Sequence, residues 1–209
     1  MTDLIALVAD KDAEYTLHGL LSRHQSLGIR NIASSYDIYV HPLRDPGCWN
    51  DADNFLRSFI NTHRYALVLF DYEGSGRDQL IDADAMEELL ESRLQKNGWD
   101  NRCRVVVIRP ELEMWVWSDS PVVDNCLGWQ GRQPALRLWL QQQKFLAKGE
   151  MKPHRPKEAV ERALRHVSQP YSAAMFKQLA TSVSLNRCTD RSFQRLRETL
   201  QLWFGDPGV

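Results

Sequence analysis

The chain has 209 residues, 43% apolar and 25% charged, with a formal net charge of −1, the composition of a globular protein with room for one substantial core and a helical extension. No apolar stretch approaches membrane-spanning length, and Asp3, Asp10, Lys11 and Asp12 interrupt any leader-like run, so neither a membrane span nor a signal peptide is expected. Cys48, Cys103, Cys126 and Cys188 are far apart and form no CxxC or Cys/His pairing, which argues against zinc and for reduced thiols in a cytoplasm.

The first element is "LIALVA" (4–9), a continuous apolar run that stops at Asp10-Lys11-Asp12. Residues 13–27 then carry Leu17, Leu20, Leu21 and Leu27 at helical spacing. "YDIYVH" (36–41) reads as a second strand, and Pro42, Pro46 and Gly47 break the chain after it. Asn50 or Asp51 is placed to cap a helix bearing Phe55, Leu56 and Phe59. "YALVLFDYEGSGRD" (65–78) supplies a third strand that runs into Asp71 and Glu73, with Gly74 and Gly76 turning the chain. A helix is expected over 82–97, capped by Asp82 and stopped at Gly98, before a fourth strand, "RVVVIRP" (104–110).

The order is therefore βαβαβαβ with apolar rather than alternating strands, the pattern of a four-stranded parallel sheet with helices on both faces and right-handed crossovers. After Pro110 the pattern changes. "ELEMWVWSDSPVVDNCLGW" reads as a short helix or strand, and helices are expected over 134–147, 156–168, 171–181 and 189–204. The expected organisation is an α/β core over 1–118 with a helical region, 119–209, packed on it.

Ligands of such sheets bind beyond the carboxyl ends of the strands, so the acids there carry the most weight. Asp10 follows strand one, and Asp71 and Glu73 follow strand three; together they suit Mg²⁺ or Mn²⁺, hard cations that accept two or three carboxylates when phosphate and water supply the rest. The same placement also suits plain helix and loop capping. "GSGRD" lacks the GxxxxGK[ST] pattern and is not a GxGxxG fingerprint, so a nucleotide-cradling loop is disfavoured. Glu111 and Glu113 follow strand four on the same edge, where they would extend the site or orient a ligand, while Trp115 and Trp117 fit core packing.

Charge is unevenly spread. Residues 151–200 hold ten Lys/Arg against four Asp/Glu, and residues 1–150 hold sixteen against twenty-two. A basic third on an acidic body points to a polyanion or an acidic partner, or else to solvated helix faces. Lys152, His154, Arg155 and Lys157 gather just before a helix start at Pro156, a candidate phosphate site or a solvated linker.

With these motifs in place, the chain resembles the Toprim domains of topoisomerases, primases and anti-phage nucleases, and more closely a Toprim-like family from bacterial defence islands. The resemblance is carried by "VADKDAE", "LFDYEGSG", "RPELEMWVW", "KPHRPKEAV" and the helical tail from Tyr171, nearly the whole chain. Where Toprim domains offer a glutamate after the first strand, this chain has Asp10, with Glu14 one turn further on; the second acid of the strand-three pair is glutamate. The resemblance implies a Mg²⁺-dependent nuclease in anti-phage defence. Asp10, Asp71 and Glu73 would hold metal, Glu111 and Glu113 would join the catalytic set, and residues 152–157 would hold phosphate. It also implies nucleic acid as substrate and, as partners, other proteins of a defence operon, including operons associated with methylation. The alternative is a non-catalytic Toprim-like scaffold in a multi-protein complex.

Overall fold

A computed structural model describes residues 1–118 and 120–205. The boundary expected at 118/119 abuts Asp119, which, like 206–209, lies outside the described residues. The elements run β1 (Thr2–Val8), α1 (Lys11–Leu21), α2 (His24–Leu27), β2 (Tyr36–Val40), α3 (Arg44–Leu56), β3 (His63–Asp71), α4 (Ala83–Leu94) and β4 (Cys103–Ile108). Six further helices follow: α5 (Glu113–Val116), α6 (Pro121–Cys126), α7 (Leu136–Gln142), α8 (Pro156–His166), α9 (Ala173–Ser182) and α10 (Arg191–Phe204). The expected α/β architecture is present: one four-stranded sheet, all parallel, in the order β2-β1-β3-β4.

Alternation along the strands sends Leu4, Ala6, Val8, Leu67, Leu69, Val106 and Ile108 to one face. Ile5, Leu7, Ala66, Val68, Phe70, Val105 and Val107 point to the other. The second face is covered by α3 and α4 through Cys48, Trp49, Leu56, Met86, Leu90 and Leu94. The first face receives a single crossover, α1 with the short α2, because only the β1-to-β2 connection turns that way. The C-terminal helices supply the missing cover: α9 packs along α1, α10 lies on β4, and their apolar residues join the same core as Leu67 and Val106. A sheet buried on both faces requires this second layer, since each fully buried Leu or Val contributes roughly 1.5–3 kcal/mol only when covered.

Local chemistry sets the helix boundaries. Asp82 Oδ1 accepts the Ala85 N–H at 2.9 Å, and Gly98 ends the following turn with φ +99°, both as expected. The helix expected from Asn50 or Asp51 instead begins at Arg44. Pro46 sits in its first turn, where an N–H needs no intrahelical partner and proline is tolerated, and the Gly47 N–H makes the first helical bond, to the Leu43 carbonyl at 3.2 Å. Gly47 is required there by packing, because a Cβ would lie 1.9 Å from His41 Nδ1. The stretch after Pro110 resolves into the two short helices α5 and α6.

The outer edge of β4 is closed by side chains. Glu91 Oε1 accepts the Val105 N–H at 2.9 Å, and Glu87 Oε1 accepts the Val107 N–H at 3.0 Å. Arg195 Nε donates to the Val105 carbonyl at 3.0 Å, and its Nη2 reaches Glu91 Oε1 at 2.8 Å. Carboxylates one helical turn apart on α4 thus stand in for a neighbouring strand, which protects an edge otherwise open to pairing. The four cysteines are free and buried. Among the described residues no helix is long and apolar enough to cross a membrane.

Candidate functional site

The strand order places a switch point between β1 and β3, where one connection leaves leftward and the next crosses to the right; ligands of open parallel sheets bind in that crevice. Asp10 and Asp71 flank it. Asp10 is the N-cap of α1, its Oδ1 accepting the Ala13 N–H at 2.9 Å. Asp71 is the last residue of β3, and its N–H donates to Asp45 Oδ1 at 2.8 Å. Asp45 arrives from the first turn of α3 and packs against Gly74, where a Cβ would fall 2.5 Å from its Oδ2. The glycine after β3 therefore makes room for a carboxylate.

From the β4 side come Glu111 and Glu113. Glu111 Oε1 accepts the backbone N–H of Lys157 at 2.8 Å, capping the start of α8 from a distance. Glu113 opens α5 and is only 2% exposed. The Lys157 ammonium stands 4.0 Å from its Oε1. The Tyr171 hydroxyl lies 2.7 Å from Glu113 Oε1 and 2.8 Å from Asp12 Oδ2. A phenol has one proton, so it donates to one of these carboxyls, and a protonated carboxyl must supply the other hydrogen bond.

Electrostatics agree with a shared proton. Burial, with part of the rise offset by the Tyr171 hydrogen bond and Lys157, pushes the Glu113 carboxyl up to about 7. Burial, followed by the charges of Asp45, Glu113, Asp10 and Glu111, drives Asp71 well above the usual carboxylate range. Asp12, Asp45 and Glu111 are raised as well, in each case first by burial. Burial pulls Lys157 down, but Glu113, Glu111, Asp71 and Asp10 outweigh it and raise the ammonium overall. Six carboxylates thus crowd one edge with Lys157 as their close cation.

Of the acids read from the sequence, Asp10, Asp71, Glu111 and Glu113 meet electrostatically at this edge. Glu73 is exposed in a 3-10 turn; its N–H donates to the Pro110 carbonyl at 3.1 Å, and its charge is felt at Glu111. Of the basic segment, only Lys157 enters the site. Lys152 faces Asp190 at 3.5 Å, Arg155 faces Glu158 at 2.7 Å, and His154 is exposed. Much of the basic C-terminal charge meets the acidic core of its own chain, through Lys157–Glu113, Arg191–Asp84 and Arg195 with Glu87 and Glu91. Asp45, Asp12 and Tyr171 were not singled out from sequence. Asp45 lay in a segment read as a chain break, and Tyr171 is distant in sequence from every acid it touches.

The donor set is all oxygen and suits a hard cation. Among the described residues no group of three or more His, Cys, Asp or Glu stands in ion-holding geometry. One oxygen each of Asp10, Asp45, Glu111 and Glu113 is committed to a protein donor. No family model, no curated protein and no solved structure matches the chain.

Proposed function

We propose that this acidic edge is the active site of a divalent-cation-dependent hydrolase of nucleic-acid phosphodiesters. The observation that carries this reading is Asp71: a partly buried carboxyl at the end of β3, ringed by Asp10, Asp45, Glu111 and Glu113. Like charges placed together away from water are costly unless a cation or protons neutralise them. Mg²⁺ or Mn²⁺ held by Asp10 and Asp71, with Asp45 or Glu73 as further ligands, would neutralise the cluster and supply Lewis-acid polarisation of a phosphate. Lys157 would meet a substrate phosphate, and Glu113 would hold a proton near neutrality. The Toprim resemblance and the position at the sheet's switch point support the same reading, and a role in anti-phage defence rests on that resemblance.

The test is cleavage of labelled single- and double-stranded DNA and RNA, with Mg²⁺, with Mn²⁺ and with chelator. Metal-dependent cleavage that Asp71→Asn abolishes is expected. Absence of cleavage on every substrate by a folded, metal-supplied sample would sink the reading.

A second reading, a non-catalytic scaffold for partner proteins, is favoured by the internal pairing of the acids with Lys157, Tyr171 and backbone N–H groups. It is distinguished by defence function that survives an Asp71→Asn/Glu73→Gln double substitution.

A further inference from the structure

The four strand ends lay a row of charge across the carboxyl edge. In spatial order, β2 leads within four residues to Arg44, β1 leads to Asp10, β3 ends in Asp71, and β4 leads directly to Arg109. The row reads base, acid, acid, base. Both arginines are exposed. Among the described residues neither guanidinium has a hydrogen bond or a carboxylate within ion-pair distance, though the Arg44 charge is felt at longer range by Asp12. Arg109 lies over the Tyr72 ring, 5.1 Å from its centroid, and Arg44 lines the cleft that also holds Asp10 and Lys157. By contrast Lys152, Arg155, Lys157 and Arg191 each face a carboxylate.

Arg44 also has an unusual backbone. Its φ is +52°, in the left-handed region that a long side chain rarely adopts, at the first residue of α3. Such conformations cluster at functional sites. Arg44 stands with Asp10 and Asp12 in one cleft and Arg109 with Glu87 and Arg195 in another, so each arginine would meet a different phosphate of a strand laid across Asp10 and Asp71.

We propose that Arg44 and Arg109 are substrate-binding residues of a track that holds one polyanionic strand on both sides of the carboxylate cluster. The substrate is then a nucleic-acid chain rather than a mononucleotide or small phosphate ester. The proposal rests on the hydrolase reading above and names its substrate-holding residues.

The experiment measures binding separately from cleavage. Asp71→Asn protein in Mg²⁺ is titrated into a labelled single strand of about 20 nucleotides, longer than the site of one such module, at several salt concentrations. Adding Arg44→Gln or Arg109→Gln is expected to weaken binding about 3- to 10-fold each and to flatten the salt slope by about 0.7 each. Arg64→Gln, at the opposite end of β3, is expected to change neither. An unchanged salt slope in the Arg44→Gln/Arg109→Gln protein, or an equal loss in the Arg64→Gln control, overturns the track. Failure of the Asp71→Asn protein to bind while the unaltered chain cleaves overturns the track alone. Arginine-dependent binding by a chain that never cleaves supports the track and removes the hydrolase reading.

Discussion

The Tyr171 hydroxyl stands 2.7 Å from Glu113 Oε1 and joins the connection between α8 and α9 to the start of α5, beyond β4. Through the same oxygen it reaches Asp12 at the start of α1. One phenol therefore ties the connection between α8 and α9 to the starts of the two helices that follow β1 and β4. Tyr171→Phe leaves a buried carboxyl without its donor, which costs about 1–3 kcal/mol. Urea denaturation near pH 7 is expected to show that loss, and an unchanged midpoint would show that the contact contributes nothing.

Glu113 also sets a pH dependence. Its folded pKa, about 7, lies above its ordinary value of 4.5. The folded state therefore binds more protons than the unfolded chain between those values. The stabilising contribution is fully present below about pH 4.5 and is lost as pH rises through about 7. Asp71, also raised, acts in the same direction. Glu113→Gln is expected to flatten the dependence and to be about 1–3 kcal/mol more stable than the unaltered chain at pH 8. Melting temperatures from pH 5 to pH 8 provide the comparison; equal slopes for the two proteins would contradict it.

The two glycines after β3 make opposite demands. Gly74 abuts Asp45, so Gly74→Ala must push that carboxylate away from the Asp71 N–H, at a cost of about 1–3 kcal/mol. Gly76 has φ +69° with open space around it, so Gly76→Asn is expected to cost only a few tenths to about 1 kcal/mol. Thermal denaturation of the two variants should rank them in that order. Gly74→Ala should also lower any cation affinity, measured by calorimetric titration with Mn²⁺.

At the β4 edge, Arg195 is 27% exposed and holds Glu87, Glu91 and the Val105 carbonyl together. Arg195→Ala leaves the buried Glu87 without its cation and Glu91 with Arg104 alone, with an expected loss of about 2–3 kcal/mol. Hydrogen exchange at the Val105 and Val107 amides should accelerate more than exchange on β1. Uniform acceleration across the sheet would mean the network does not act locally.

Much of this fold was legible in the sequence. Four apolar runs, the Asp82 cap, the Gly98 stop and Pro156 at a helix start mark their elements because each acts through its near neighbours. Asp10 and Asp71 were legible as edge residues because strand order and strand polarity follow from the βαβ pattern. The start of α3 at Arg44 was hidden, since Pro46 and Gly47 read as breakers and only the first-turn position makes them acceptable. Asp45 was hidden with it. What only the tertiary structure decided is which acids meet. Asp71 meets Asp45 rather than sharing its surroundings with Glu73, because the first turn of α3 brings Asp45 to the Asp71 N–H while the turn after β3 exposes Glu73. Lys157 and Tyr171 enter the site because one sheet face receives only the β1-to-β2 crossover and the C-terminal helices must cover the rest of it. That requirement belongs to burial over the whole sheet, and no local spacing in the chain expresses it.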